Sequence, residues 1–251
     1  MSATCPPNPG LATSSYYVDF TQVRDIPENW TLTQYENVQY GTLGAEFTFN
    51  NRFDAPSISS NFYILFGRVE VVMQVGPGIG IISSAVLMSD DQDEIDWEFS
   101  GNNFKKDGGS AQTNYFGKGI TGNYDRATYD SVTSPQTQFH TYTLDWSTEE
   151  LTWSIDGVVV RTLSNNHATS GAYQYPQTPM KMELGLWDGG DPDNASGTIA
   201  WAGGTTDLSQ APFTMYVKSV AITNANPCSG GYQYTDMTGS YQSIKCVSMG
   251  T

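Results

Sequence analysis

Histidine is nearly absent: His140 and His167 are the only two in 251 residues. That scarcity argues against a zinc site built on several histidines and against a Ser-His-Asp hydrolase. His140, between Phe139 and Thr141 at a strand start, is expected to pack rather than to act as a base. Basic residues are scarce as well, 11 Lys and Arg against 26 Asp and Glu, for a formal net charge of −15. Such a surface repels phosphate backbones and anionic lipid, which disfavours nucleic-acid and membrane partners. A neutral polymer such as a polysaccharide is indifferent to that field. No apolar stretch is long enough to span a bilayer, and residues 1–15 hold no apolar signal core, so a secreted form has had its signal peptide removed or replaced. No phosphate-binding glycine loop opens a helix, and no apolar run at 3.6 spacing is long enough for a major helix. Neither a metal nor a cofactor is expected.

Cysteine is equally sparse. Cys5, Cys228 and Cys246 form no CxxC or Cys/His metal pattern. The last two bracket a Gly/Ser/Tyr-rich tail, and a bridge between them would close a short loop, contributing roughly 3 kcal/mol on a chain-entropy estimate. Cys5 is then odd, its partner expected upstream of this sequence. Three free thiols in a reducing compartment is the alternative. The sequons at Asn29 and Asn194 favour secretion and are the expected glycosylation sites.

The sequence has, in contrast, 25 Gly, 15 Tyr and 13% aromatic residues with only 15% charged ones, a composition suited to many short strands and turns. Turn signals recur at Asp54-Ala55-Pro56, Gly76-Pro77-Gly78, Asp107-Gly108-Gly109, Asp156-Gly157 and Asp188-Gly189-Gly190. Between them lie strand-like runs over 45–49, 62–75, 81–88, 94–99, 111–116, 140–146, 151–155, 158–163, 180–187 and 214–222. The Asp156-Gly157 pair between alternating and β-branched runs predicts a hairpin. Closely spaced strands without helices between them predict an all-β sandwich or jelly roll. Residues 1–223 read as one domain and 224–251 as a Cys-bounded appendix.

The chemistry concentrates in Asp93-Glu94-Ile95-Asp96-Trp97-Glu98-Phe99. Strand side chains alternate faces, so Glu94, Asp96 and Glu98 share one face while Ile95, Trp97 and Phe99 share the core side. At roughly 3.3 Å per residue Glu94 and Glu98 have Cα atoms about 13 Å apart. Side chains leaning together narrow that toward the roughly 5–5.5 Å carboxyl separation of retaining glycosidases. Three like charges on one face also repel, which raises at least one pKa and keeps a proton for a general acid. A calcium site and a solvated strand face are the alternatives, the first at odds with an extended strand and the second with stacked like charges.

Asp93–Phe99 resembles the E-x-D-x-E signature of glycoside hydrolase family 16, here in its regular-strand form without the extra residue some members carry before the second Glu. Gln112-Thr-Asn-Tyr-Phe-Gly-Lys-Gly119, Phe139-His-Thr-Tyr-Thr-Leu-Asp-Trp146, Ile155-Asp-Gly157, Leu186-Trp-Asp-Gly-Gly-Asp191 and Trp201-Ala-Gly-Gly204 are similar to the family's fungal Crh-type cell-wall transglycosylases. The resemblance runs from about Tyr17 to Val220. It implies a concanavalin-like jelly roll with a concave cleft, Glu94 as nucleophile, Asp96 as its hydrogen-bonded helper and Glu98 as general acid/base. It further implies transfer of chitin onto β-glucan or chitin and secretion to the fungal cell wall, with membrane anchoring of a precursor left open. A monomer without protein partners is expected.

Alternation puts Gln112, Asn114 and Phe116 on one face, where they reach the same sugar if their strand lies beside Glu94–Glu98; cross-strand polar pairing is the alternative. Trp187 and Trp201, in Gly/Asp-rich loops, are candidates for stacking on sugars, against a core role. Lys118, in a Gly-Lys-Gly loop, is a candidate donor to sugar hydroxyls, against a solvated lysine. Trp146 and Trp153 read as core. A plain endo-β-glucanase or chitinase-like hydrolase would use the same carboxylates, and a jelly-roll lectin would bind glycan without needing them.

Overall fold

The computed structural model describes residues 6–34, 38–100 and 109–248. Cys5 and the Asp107-Gly108 pair of one expected turn lie outside the described residues. In chain order come β1 (Asn8–Pro9), β2 (Ser15–Asp19), β3 (Trp30–Gln34), β4 (Val38–Gly41), β5 (Gly44–Phe49), β6 (Ser57–Ser60), β7 (Gly67–Gln74), β8 (Ile81–Ser89) and β9 (Glu94–Ser100). They are followed by β10 (Ser110–Phe116), β11 (Thr128–Ser131), β12 (His140–Trp146), β13 (Glu150–Ile155), β14 (Val158–Ser164) and β15 (Met180–Asp188). A six-residue helix, α1 (Ser196–Trp201), precedes β16 (Phe213–Asn224), β17 (Gly231–Tyr234) and β18 (Ile244–Val247).

These strands form a sandwich. One sheet runs β11-β10-β9-β8-β15-β6-β3, and the other runs β14-β13-β12-β7-β16-β5-β4 with β2 also pairing β16. The core lies between them. Ile95, Trp97 and Phe99 are wholly buried, and Trp97 and Phe99 meet Tyr142 of the other sheet at ring-centroid distances of 5.3 and 4.8 Å. Burying a side chain of this size stabilises the fold by roughly 1.5–3 kcal/mol. Trp146 and Trp153 are core residues, as expected, and the Trp153 indole donates to the Asp96 carbonyl at 3.1 Å. The apolar face of β9 is thus anchored, which turns its acidic face outward.

The Asp156-Gly157 hairpin forms with φ of 50° and 80° at its two central residues, the primed-turn geometry that a twisted hairpin favours. The Asp156 carboxylate accepts from Thr141 N at 2.8 Å and bonds His140 Nδ1 at 2.7 Å, while His140 Nε2 meets the Thr133 carbonyl. His140 is packed, as its neighbours in sequence suggested.

Two expectations change. The run 62–75 is not one strand: Phe66 and Gly67 have φ of 63° and 134°, Gly67–Gln74 forms β7, and Ile64 before the break bridges Met180 of β15 instead. A Cβ at Gly67 would lie 2.1 Å from the Thr223 carbonyl oxygen, so glycine is required there. The tail is also less separate than expected. β16 extends to Asn224, Cys228 and Cys246 are bridged, β17 pairs with both β18 and the N-terminal β1, and Cys228 and Tyr232 belong to the main core.

Candidate active site

β9 lies between β8 and β10, and the register sets which side chains meet. Glu94, Asp96 and Glu98 face Phe116, Asn114 and Gln112 on β10 and Met88, Val86 and Ser84 on β8. One strand further, Lys181, Glu183 and Gly185 of β15 continue the same rows, with Trp187 beyond the Glu98 end. Glu94, Glu98, Glu183 and Trp187 line one cavity of about 260 Å³, floored by Ser57, Ser84 and Gly185.

Burial raises all three carboxyls of β9 above their ordinary range. Glu98 is pushed up to about 8, first by desolvation and then by the Glu94 charge. Glu94 rises through burial and through Glu183, opposed by a hydrogen bond with Asp96. Asp96 is raised well above its ordinary value, first by full burial and then by Glu94 and Glu98 on either side. Neither Asp96 oxygen finds an N–H or O–H donor among the described residues. A set that cannot fully ionise at neutral pH offers both an anion and a proton donor.

Asp93, quoted in the motif but given no role from sequence, fixes the start of this strand. It is completely buried and accepts hydrogen bonds from Lys118 N at 2.8 Å, Gln177 N at 2.9 Å, Thr178 N at 3.0 Å and Thr178 Oγ1 at 2.7 Å. Lys118 is a correction. Its ammonium is held by Asp91 at 3.1 Å and by the Gly239 carbonyl at 2.7 Å, which ties the loop to the tail rather than pointing into the cavity. The signal to the contrary was the Gly-Lys-Gly loop; the acidic run Asp90-Asp91-Gln92-Asp93 is what captures the charge.

Gln112, Trp187 and Trp201 come together at the Glu98 end, while Phe116 stands at the Glu94 end. Trp201 Nε1 donates to Gln112 Oε1 at 3.0 Å, and the Trp187 and Trp201 rings stack at 5.9 Å. Both sit on secondary structure, Trp187 in β15 and Trp201 at the end of α1, and not in loops. Each is half-buried. Asn114, opposite Asp96, is buried with no donor to its Oδ1 among the described residues. Sequence reasoning missed Glu183 and Tyr129. Alternation along Met180–Asp188 puts Lys181, Glu183 and Trp187 on one face, so Glu183 was findable. Tyr129, opposite Gln112, sits on a short edge strand with no pattern to flag it.

Asn29 is exposed, whereas Asn194 Nδ2 donates inward to the carbonyls of Asp188 at 2.9 Å and Gly189 at 3.2 Å. Among the described residues no group of three His, Cys, Asp or Glu is arranged to hold a metal ion, and no helix is long and apolar enough to cross a membrane.

Buried glutamates with raised pKa values on one strand of a jelly-roll sheet, beside stacked indoles, have the character of a carbohydrate-active site of the glycosidase type. The sequence model of glycosyl hydrolases family 16 matches residues 16–203, and the chain belongs to that family. It is 55% identical over 245 residues to Crh-like protein 5 of Aspergillus fumigatus, covering 98% of this chain and 60% of that protein. Over 243 residues it is 44% identical to Congo red hypersensitive protein 1 of Saccharomyces cerevisiae, covering 96% of this chain and 45% of that protein. The chain therefore spans 60% of the one relative's length and 45% of the other's. Among solved structures it is similar to a Crh5 transglycosylase in complex with NAG, with 55% identity, 97% of each chain covered and a TM-score of 0.90. A Bacillus licheniformis β-glucanase shares the fold, with 23% identity, a TM-score of 0.68, and 84% of this chain and 99% of that one covered.

Proposed function

We propose that this protein is a retaining transglycosylase of the fungal cell wall, cleaving a β-1,4-linked chitin donor and joining it to β-glucan or chitin. The observation that carries the reading is the carboxyl set of β9, in which burial raises both glutamates and pushes Glu98 up to about 8. The relatives named for Crh, similar over nearly the whole of this chain, support transfer over hydrolysis.

The Glu94 carboxylate attacks the anomeric carbon while Glu98 gives its proton to the departing glycosidic oxygen, leaving a glycosyl ester on Glu94. Asp96, hydrogen-bonded to Glu94, orients that carboxylate and moderates its charge as the ester forms and breaks. In the second half, ionised Glu98 takes the proton of an acceptor hydroxyl, whose oxygen attacks the anomeric carbon and frees Glu94. Water competes for that step at far higher concentration than any sugar. A sugar prevails only where binding orients it, an effect that reaches effective molarities of about 10⁵ M or more. Trp187, Trp201 and Tyr129 are the surface for it at the Glu98 end.

Chromatography of products from a chito-oligosaccharide donor, with a fluorescent β-1,3-gluco-oligosaccharide as acceptor, tests the reading. Labelled hybrids are expected. Shortened donors alone, with no hybrid at any acceptor concentration, would establish a hydrolase. Glu94→Gln should fold and be inactive, and a glycosyl adduct trapped on another residue would reassign the nucleophile.

A further inference from the structure

Phe116 ends β10 opposite Glu94, so it stands on the carboxylate face at the Glu94 end of β9, away from the two indoles. Beyond it the chain leaves the sheet in a loop held by Arg126. That guanidinium is buried and donates to the carbonyls of Tyr115 at 3.0 Å, Thr121 at 2.6 Å and Ala172. Its carbon lies 4.6 Å over the Phe116 ring and 5.9 Å from that of Tyr173. Arg126 therefore clamps the loop while serving as the hub for a group of rings.

Tyr124 completes the group. Its ring centroid is 6.3 Å from that of Phe116, edge to face, yet the residue is 70% exposed. Its φ of 56° is a left-handed conformation that disfavours any residue with a side chain. Neither packing nor backbone preference accounts for a large ring placed there. Tyr173 is half exposed and donates its hydroxyl to Asp125 at 2.7 Å, fixing a third ring beside the first two. Phe116 sets the patch beside Glu94, its partner across the sheet, which itself lines the cavity.

The geometry points to Phe116, Tyr124 and Tyr173, assembled on Arg126, as a stacking platform for the pyranose rings of a neutral β-linked glycan leaving the cleft at the Glu94 end. This rests on the glycan-transfer reading above. Aromatic faces bind the apolar face of a pyranose without needing charge, so the platform suits a neutral chain whether it belongs to the donor or to the acceptor. It would make long chains better substrates than short ones.

The test is the ratio of kcat/KM for long over short oligosaccharides, measured in a donor-length series at fixed acceptor and in an acceptor-length series at fixed donor. In Tyr124→Ala and Tyr124→Gly the ratio is expected to fall about three- to tenfold, with Tyr124→Phe close to wild type. The series in which it falls identifies the chain held. Glycine relieves the backbone at this position, so a lower ratio with an unchanged or raised Tm separates lost binding from lost folding. Wild-type ratios in both the Ala and Gly variants, in both series, overturn the platform, as does a fall in Tyr124→Phe equal to that in Tyr124→Ala. Absence of turnover by the wild-type protein in either series would instead overturn the reading of its function.

Discussion

Trp201 donates its indole N–H to the Gln112 side chain across 89 residues of sequence, and Gln112 stands directly opposite Glu98 in the sheet. The helix that carries Trp201 is thereby tied to the strand beside the proposed acid/base. Loss of the Trp201 ring should remove an acceptor surface without disturbing Glu94. In Trp201→Ala the ratio of transfer to hydrolysis is expected to fall about tenfold, equivalent to 1.4 kcal/mol of acceptor binding, with a smaller effect on donor cleavage. Product chromatography with and without acceptor measures both.

Glu98 gives a pH signature. Turnover needs Glu94 ionised and Glu98 protonated, so the profile should be bell-shaped. Its alkaline limb falls near the raised value of about 8, and its acid limb lies above the ordinary 4.5 of a glutamate. Glu98→Ala should lose the alkaline limb, and azide should partly restore turnover of an activated donor. An unchanged profile in that variant would remove Glu98 from the role.

The same shift bears on stability. Folding raises the Glu98 pKa, so its contribution is fully present below 4.5 and is lost as pH rises toward about 8, because the unfolded chain gives up the proton first. Glu98→Gln escapes that loss. Its Tm should exceed wild type by roughly 2 °C or more near pH 8, with the gap closing below pH 4.5, as thermal melts across pH will read.

Asp93→Asn puts an amide nitrogen against backbone donors that now point at a carboxylate. Four hydrogen bonds converge on that side chain, so the variant is expected to lose about 2 kcal/mol or more. Urea unfolding should show a lower midpoint, and kcat should fall because the start of β9 shifts.

Reducing the Cys228–Cys246 bridge should cost roughly 3 kcal/mol without unfolding the sandwich. Their separation is only 18 residues, and the tail is held independently by β1–β17 pairing and by the Tyr232 hydroxyl on the Asn226 carbonyl at 2.6 Å. Circular dichroism and melts in reductant check this; a collapse of the β signal would show the bridge to be essential.

Period-two alternation is local, and it determined much of this protein. Ile95, Trp97 and Phe99 were legible as core and Glu94, Asp96 and Glu98 as one face, because a strand's geometry repeats every two residues whatever lies beside it. The Asp156-Gly157 turn, the buried Trp146 and Trp153 and the pairing of Cys228 with Cys246 were legible on equally local grounds. Short polar strands such as Ser57–Ser60 and Thr128–Ser131 were not, since only their neighbours in the sheet make them strands. Tertiary structure alone decided which faces meet. It placed Glu183 two strands from Asp96, turned Lys118 toward Asp91 and the tail, put Trp201 on a helix against Gln112, and gathered Phe116 and Tyr173 around Arg126. Register and sheet order are set by the joint burial of residues far apart in the chain, and no single segment carries that information.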